Sequence, residues 1–192
     1  PPFRISLAQW SLHRTIRSGD LDPLDFPEHA ALVYDVDAVE YVNQFFADKA
    51  IDPVWMNELR QRSLDAGVRN LLIMIDGEGS LAAADDDERA RAIQDHTQWL
   101  GAAAVLGCHS IRVNAAGNGE RDEVAKRAAD SLVQLAERAT PYDLSIIVEN
   151  HGGLSSDGSW LADVMRRADH PRVGTLPDFG NFHLGRDEWY DR

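Results

Sequence analysis

The chain carries a single cysteine, Cys108, among 192 residues, so no internal disulfide can staple it. No apolar run reaches the ~20 residues that a membrane helix requires. Positive charge is scarce: 19 Lys and Arg stand against 32 Asp and Glu, a formal charge of −13 at pH 7. Such a surface repels phosphate backbones, which speaks against nucleic acid as a partner. The glycine signatures of nucleotide binding are missing too. Gly117-Asn118-Gly119 lacks the third glycine of a dinucleotide fingerprint, and no Gly-Lys-Ser/Thr occurs. No linker or low-complexity tract divides the chain, and a single domain over residues 1–192 is expected. The sequence opens Pro-Pro without Met, so an export signal removed beforehand stays open, and cytoplasmic is only the default for the compartment.

What is present is one rhythm, repeated. Short apolar runs at Phe3–Trp10, Ala38–Val42, Leu71–Ile75, Ser110–Val113, Leu144–Glu149 and Val173–Leu176 have the length and β-branched content of buried strands. Amphipathic helical patterns lie between them. Asp52-Pro53 forms an N-cap with Pro at the first helical position; Trp55, Leu59, Ser63 and Ala66 then share a face, and Gly67 supplies the stop. Asp85, Asp86, Asp87 and Glu88 suit the positive end of a helix that runs through Ile93, Leu100 and Ala104 to Gly107. Val124, Ala128, Leu132 and Leu135 or Ala136 stripe another, and Trp160, Val164 and Ala168 a further one.

Strand–helix alternation implies a parallel sheet covered by helices, either an open doubly wound sheet or a closed barrel. Unit size separates them in part. A barrel of about 250 residues in eight units uses roughly 31 residues per unit. Glu149 and Asp178, each at a strand's end, are spaced by nearly that. The expected fold class is therefore α/β of the (βα)8 barrel type, incomplete, with about six βα units present.

Chemistry in parallel α/β folds gathers at the carboxyl ends of strands. "IIVENHGG", residues 146 to 153, places Glu149, Asn150 and His151 there. Side chains alternate, so Ser145, Ile147, Glu149 and His151 share one face while Ile146 and Val148 share the other. If helices cover the second face, Glu149 points into the barrel mouth. "TLPDFGNFH" repeats the device with Asp178, Asn181 and His183, and "IRVNAAG" with Arg112 and Asn114. A buried carboxylate needs a partner, and a cation between Glu149 and Asp178 would supply one.

Together, "ISLAQWSLH", "VEYVNQFF", "SIRVNAAG", "IIVENHGG" and "GTLPDFGNF" resemble the xylose-isomerase-like barrel family of sugar isomerases and epimerases, in order and at the right intervals. The resemblance implies an eight-stranded barrel with a divalent metal in its mouth, held by Glu, Asp, His and Glu from strands five to eight. Glu149 matches the first ligand and Asp178 the second. The family's His and last Glu lie on strands seven and eight, beyond the six units found here. That implies a half-present metal site and little turnover by the 192-residue chain alone. The metal would be Mn²⁺, Mg²⁺, Co²⁺ or Zn²⁺, since mixed carboxylate and imidazole ligation does not choose among them.

The chemistry the resemblance implies is proton transfer next to a carbonyl through an enediolate, with Glu149 as both metal ligand and proton carrier. The expected partner is a small carbohydrate. Trp10 is a candidate sugar-stacking floor, and Asn114, His151 and His183 are candidate substrate contacts. Each has a plainer role open to it: Trp10 as a rim aromatic, Asn114 as a turn residue, the histidines as loop residues. Glu40 is expected to be an inner polar residue paired within the barrel. His13, His29, His96, His109 and His170 are taken as surface or structural, and Cys108 as inert.

Two other functions compete with a metal-dependent isomerase or epimerase. A non-catalytic sugar-binding or structural partial barrel is one. A metal-dependent hydrolase of the apurinic endonuclease kind is the other. It needs further His at the ends of strands two and three, where this chain has Val42-Asn43-Gln44 and Ile75-Asp76-Gly77. A six-stranded open barrel would expose its first and last strands, which predicts association, a homodimer included.

Overall fold

The computed structural model describes residues 3–182. Six strands alternate with six α-helices: β1 (Leu7–Ala8), α1 (His13–Arg17), α2 (Phe26–Tyr34), β2 (Ala38–Val42), α3 (Pro53–Asp65), β3 (Arg69–Met74), α4 (Asp86–Leu106), β4 (Ser110–Asn114), α5 (Arg121–Ala139), β5 (Ser145–Glu149), α6 (Gly158–Ala168) and β6 (Val173–Leu176). The strands form one sheet in chain order, β1-β2-β3-β4-β5-β6. Every neighbouring pair is parallel. This is the arrangement expected of a partial (βα)8 barrel. It has no reversal of strand order, the feature that would mark an open doubly wound sheet.

The helices start and stop where the sequence chemistry places them. The Asp52 carboxylate accepts from the Val54 and Trp55 amides at 3.0 and 3.1 Å ahead of α3. Asp85 accepts from the Glu88 amide at 2.8 Å ahead of α4, and Gly107 ends that helix in the left-handed region at φ 78°.

Alternation along each strand separates two apolar layers. Val39, Tyr41, Ile73, Ile111, Val113, Ile146 and Val148 face the helices and pack with Leu59, Trp99, Leu132, Leu135, Trp160 and Val164. Val42, Leu72 and Met74 face inward with Ala8, Phe45, Ile147 and Leu176. Ile146 and Val148 are thus under the helices and Ile147 is inside, the parity that sends Glu149 to the mouth.

The first strand departs from expectation. The apolar run Phe3–Trp10 yields only the two-residue β1, and Gln9–Leu12 turns into a 3-10 helix. Phe3 and Ile5 stay 78% and 70% exposed. The ladder is finished by a side chain instead: buried Gln9 accepts the Val42 amide through Oε1 at 2.9 Å. Cys108 precedes β4 at the end of the sheet opposite the mouth. Burial pushes its thiol up to about 12, so it stays protonated and inert. His96 is buried on α4, its Nδ1 on the Ala92 carbonyl at 2.7 Å, and burial pushes its pKa down.

Candidate functional site

A cavity of about 820 Å³ opens at the carboxyl ends of the strands. Trp10, Glu40, Asp76, Arg112, Glu149, His151 and Asp178 are among the side chains that line it. His183 lies outside the described residues.

Glu149 ends β5 and is only 8% exposed. Its two oxygens meet different partners. Oε2 lies 2.8 Å from Arg112 Nε, an ion pair without hydrogen-bond alignment, since the buried Nε–H has no acceptor in line. Oε1 accepts from the Asn181 side-chain amide at 3.3 Å. The same Asn181 nitrogen donates to Asp178 Oδ2 at 3.0 Å. One small amide therefore spans the carboxylates of two neighbouring strands.

Asp178 is placed by its backbone. Buried Asn150 mimics a strand partner: its Oδ1 accepts the Asp178 amide at 2.6 Å and its Nδ2 donates to the Asp178 carbonyl at 2.7 Å. The Asp178 carboxylate also caps its own turn by accepting the Gly180 amide at 2.7 Å. The same clamp recurs across the sheet. Asn43, just after β2, accepts the Asp76 amide at 3.0 Å and donates to the Asp76 carbonyl at 2.9 Å. An asparagine one step past a strand thus fixes an aspartate at the end of the next.

Asp76 then joins the centre. Its Oδ1 accepts from Arg112 Nη1 at 2.7 Å and from Asn114 Nδ2 at 2.9 Å. Asn114 Oδ1 also accepts from Arg112 Nη1 at 3.4 Å. Asn114, a candidate substrate contact, spends its amide inside this layer and is absent from the cavity lining. His151 does line the cavity, exposed, its backbone amide held by Ser155 Oγ at 3.0 Å. Trp10 lines the rim at 44% exposure and stacks on His13 at 4.7 Å, with the Arg17 guanidinium 5.0 Å from its ring. Glu40 accepts the Ser6 hydroxyl at 2.6 Å.

The sequence pattern marks Glu149, Asp178, Arg112, Asn114 and Asn181 as strand-end polar residues, and the structure gathers them around one mouth. It gives no sign that Arg112 lies between Asp76 and Glu149, because cross-strand reach depends on register. Asp76 escapes the sequence pattern although its parity matches Met74, two residues earlier. Among the described residues no group of three His, Cys, Asp or Glu is arranged to hold a metal ion. The donors that are present suit a hard or borderline divalent ion in kind: two carboxylates that converge on one amide nitrogen.

Residues 29–192 match the family model described as xylose isomerase-like TIM barrel. No curated protein sequence matches the chain. Among solved structures, a D-psicose 3-epimerase in the presence of D-fructose superposes with TM-score 0.77 at 13% identity over 96% of this chain and 66% of its own. D-psicose 3-epimerase with D-tagatose from Clostridium cellulolyticum H10 gives 0.74 at 18% identity, over 87% of this chain and 61% of its own. The IOLI protein with a binding zinc atom gives 0.75 at 13% identity, over 94% and 64%. The chain therefore spans 61–66% of the length of these structures. The family match over most of the chain and the in-order parallel sheet agree: this chain belongs to the xylose isomerase-like TIM barrel family.

Proposed function

We propose that the chain carries half of the active centre of a metal-dependent sugar isomerase or epimerase. The observation that carries the proposal is the convergence of Glu149 and Asp178 on the single Asn181 amide inside a strand-end cavity. The D-psicose 3-epimerases with D-fructose and D-tagatose among the structural neighbours, and the IOLI protein with a binding zinc atom, support the same choice.

A divalent ion, when bound, polarises the substrate carbonyl and offsets charge that develops on its oxygen. Glu149 and Asp178 would hold it. The rest of the work falls to this chain's own groups. Glu149 is buried at the mouth, so a substrate carbon seated beside it is shielded from bulk water. Its carboxylate takes the proton next to the carbonyl, giving an enediolate, and returns it or leaves that to a second group. Asp178 has no such task, being tied to its turn by Gly180 and Asn181. Trp10 offers an apolar rim against which a sugar ring can stack, and His151 a polar one.

Mn²⁺ titration combined with a screen of ketose interconversion tests this. In a form that spans all eight βα units, Glu149→Gln is expected to cost more turnover than Asp178→Asn, because Glu149 holds metal and moves a proton. Unchanged turnover in Glu149→Gln would end the mechanism. One observation favours a second reading, a non-catalytic sugar-binding module: among the described residues no third His, Cys, Asp or Glu is grouped with Glu149 and Asp178 to hold a metal ion. Sugar binding that is indifferent to Mn²⁺ and to Glu149→Gln would establish it.

A further inference from the structure

The cavity lining contains the carboxylates of Glu40, Asp76, Glu149 and Asp178, and only one Lys or Arg among the described residues, Arg112. Two of these carboxylates have neutral partners: Ser6 for Glu40, and Gly180 and Asn181 for Asp178. The other two, Asp76 and Glu149, share Arg112.

Register explains the sharing. Arg112 pairs with Met74 on one side and Ile147 on the other, one inward-facing layer below Asn114, which is level with Glu149. Its side chain rises through the sheet interior into the layer above. There the guanidinium lies between the carboxylate beyond β3 and the carboxylate at the end of β5. The residue is 5% exposed.

The chemical identity of the cation matters. A buried lysine or histidine can shed its proton when a second cation arrives; an arginine cannot. A divalent ion entering between Glu149 and Asp178 must bind against the full charge of Arg112, which already touches Glu149 through Oε2. Oε1, on the Asn181 and Asp178 side, is the oxygen left for the metal.

We infer that Arg112 is a resident counter-ion of this pocket: it fixes Glu149 by one oxygen and sets how weakly the pocket takes a divalent cation. The inference rests on the proposal that Glu149 and Asp178 are metal ligands. It makes the site a reversible one, in which Glu149 and Asp76 already have a cationic partner without metal. Asp76 is part of the device. By drawing Nη1 towards itself it divides the guanidinium's charge between two partners and eases the competition at Glu149.

Mn²⁺ binding to the chain, followed by calorimetry and by the loss of free Mn²⁺ signal in EPR, tests this without a substrate. Arg112→Met keeps an unbranched apolar stem and removes the charge, and should bind Mn²⁺ at least tenfold more tightly than wild type. Its melting temperature should fall without metal and recover in saturating Mn²⁺. Arg112→Lys keeps the charge and should stay within about threefold of wild type. Arg112→Gln tests the same point even if Arg112→Met does not fold, since it too removes the charge and should bind Mn²⁺ more tightly; Asp76→Asn, which leaves Arg112 to bear on Glu149 alone, should bind it about threefold more weakly or worse. A merely structural role predicts weaker binding in every variant, or no change. Glu149-dependent Mn²⁺ binding in wild type that Arg112→Met and Asp76→Asn leave unaltered would overturn the counter-ion role while the ligand assignment stands. No Mn²⁺ binding by wild type or Arg112→Met would overturn both.

Discussion

Asn150 illustrates how a residue with no chemistry of its own can govern a site. It is fully buried, and both ends of its amide are spent on the backbone of Asp178. Asn150→Ala would strand an amide and a carbonyl where no strand can replace them, at about 1–3 kcal/mol. Asn150→Ala should therefore lower the unfolding free energy by that amount and weaken Mn²⁺ binding, although the side chain touches no ligand. A variant with wild-type stability would show that the clamp is redundant. Asp157, by contrast, stabilises a helix. It caps α6, accepting the Ser159 amide at 2.8 Å and the Trp160 amide at 3.3 Å. The Ser159 hydroxyl, then Arg121 and the two amides, hold its carboxyl down to about 2, below the ordinary 3.8. Because the folded value is the lower one, the stabilisation is full above pH ~4 and is lost as pH falls through about 2. The side chain is 42% exposed, so solvent screening keeps the contribution near ~1 kcal/mol. Asp157→Ala should be less stable than wild type by that margin at pH 7 in urea unfolding, and the gap should close towards pH 2. A gap that persists there contradicts the capping account.

At the scale of elements, the loops beyond β3 and β4 depend on one glycine. A Cβ on Gly117 would lie 2.5 Å from the Ala82 carbonyl oxygen and 2.6 Å from the Ala82 Cβ. The same two loops are joined by the Ala82 amide on the Ala116 carbonyl at 2.8 Å. Gly117→Ala has to push them apart, at roughly 1–3 kcal/mol, and this should appear as a lower urea midpoint. The strands from β2 to β6 were legible because each is a short apolar run bounded by polar residues. α3 and α4 were legible because Asp52 and Asp85 announce them and Gly67 and Gly107 close them. β1 was not, because a ladder completed by the Gln9 side chain leaves no trace in hydropathy. α2 was not either: Phe26-Pro27 opens a helix on which Leu32 and Val33 are exposed, so its apolar residues follow no stripe. At the site, Glu149 and Asp178 stand out as charges after apolar runs. The Asn43 and Asn150 clamps and the Arg112 bridge depend on which residues face each other across strands, and a linear pattern does not contain that.

For the whole molecule, the sheet edges set the expectation. β1 and β6 are each paired on one side only among the described residues, and none of the four residues of β6 is fully buried. Unpaired edges beside an apolar interior favour association. Light scattering on the 192-residue chain should find dimers or larger species, whereas a heat-resistant monomer would show that the edges are protected.

Strand order also fixes a sequence in time. Each strand adds to the one made just before it, so the sheet can grow during synthesis from its N-terminal side, unit upon unit, with no wait for a distant partner. The mouth is completed late. Asp76, Arg112 and Glu149 assemble when β5 docks, and Asp178 reaches them only after β6. If Glu149 and Asp178 hold a cation as proposed, it cannot template the earlier units, because the two carboxylates do not coexist until those units are in place. A nascent chain in a metal-starved cell should therefore fold as far as β5 as readily as one in a metal-rich cell.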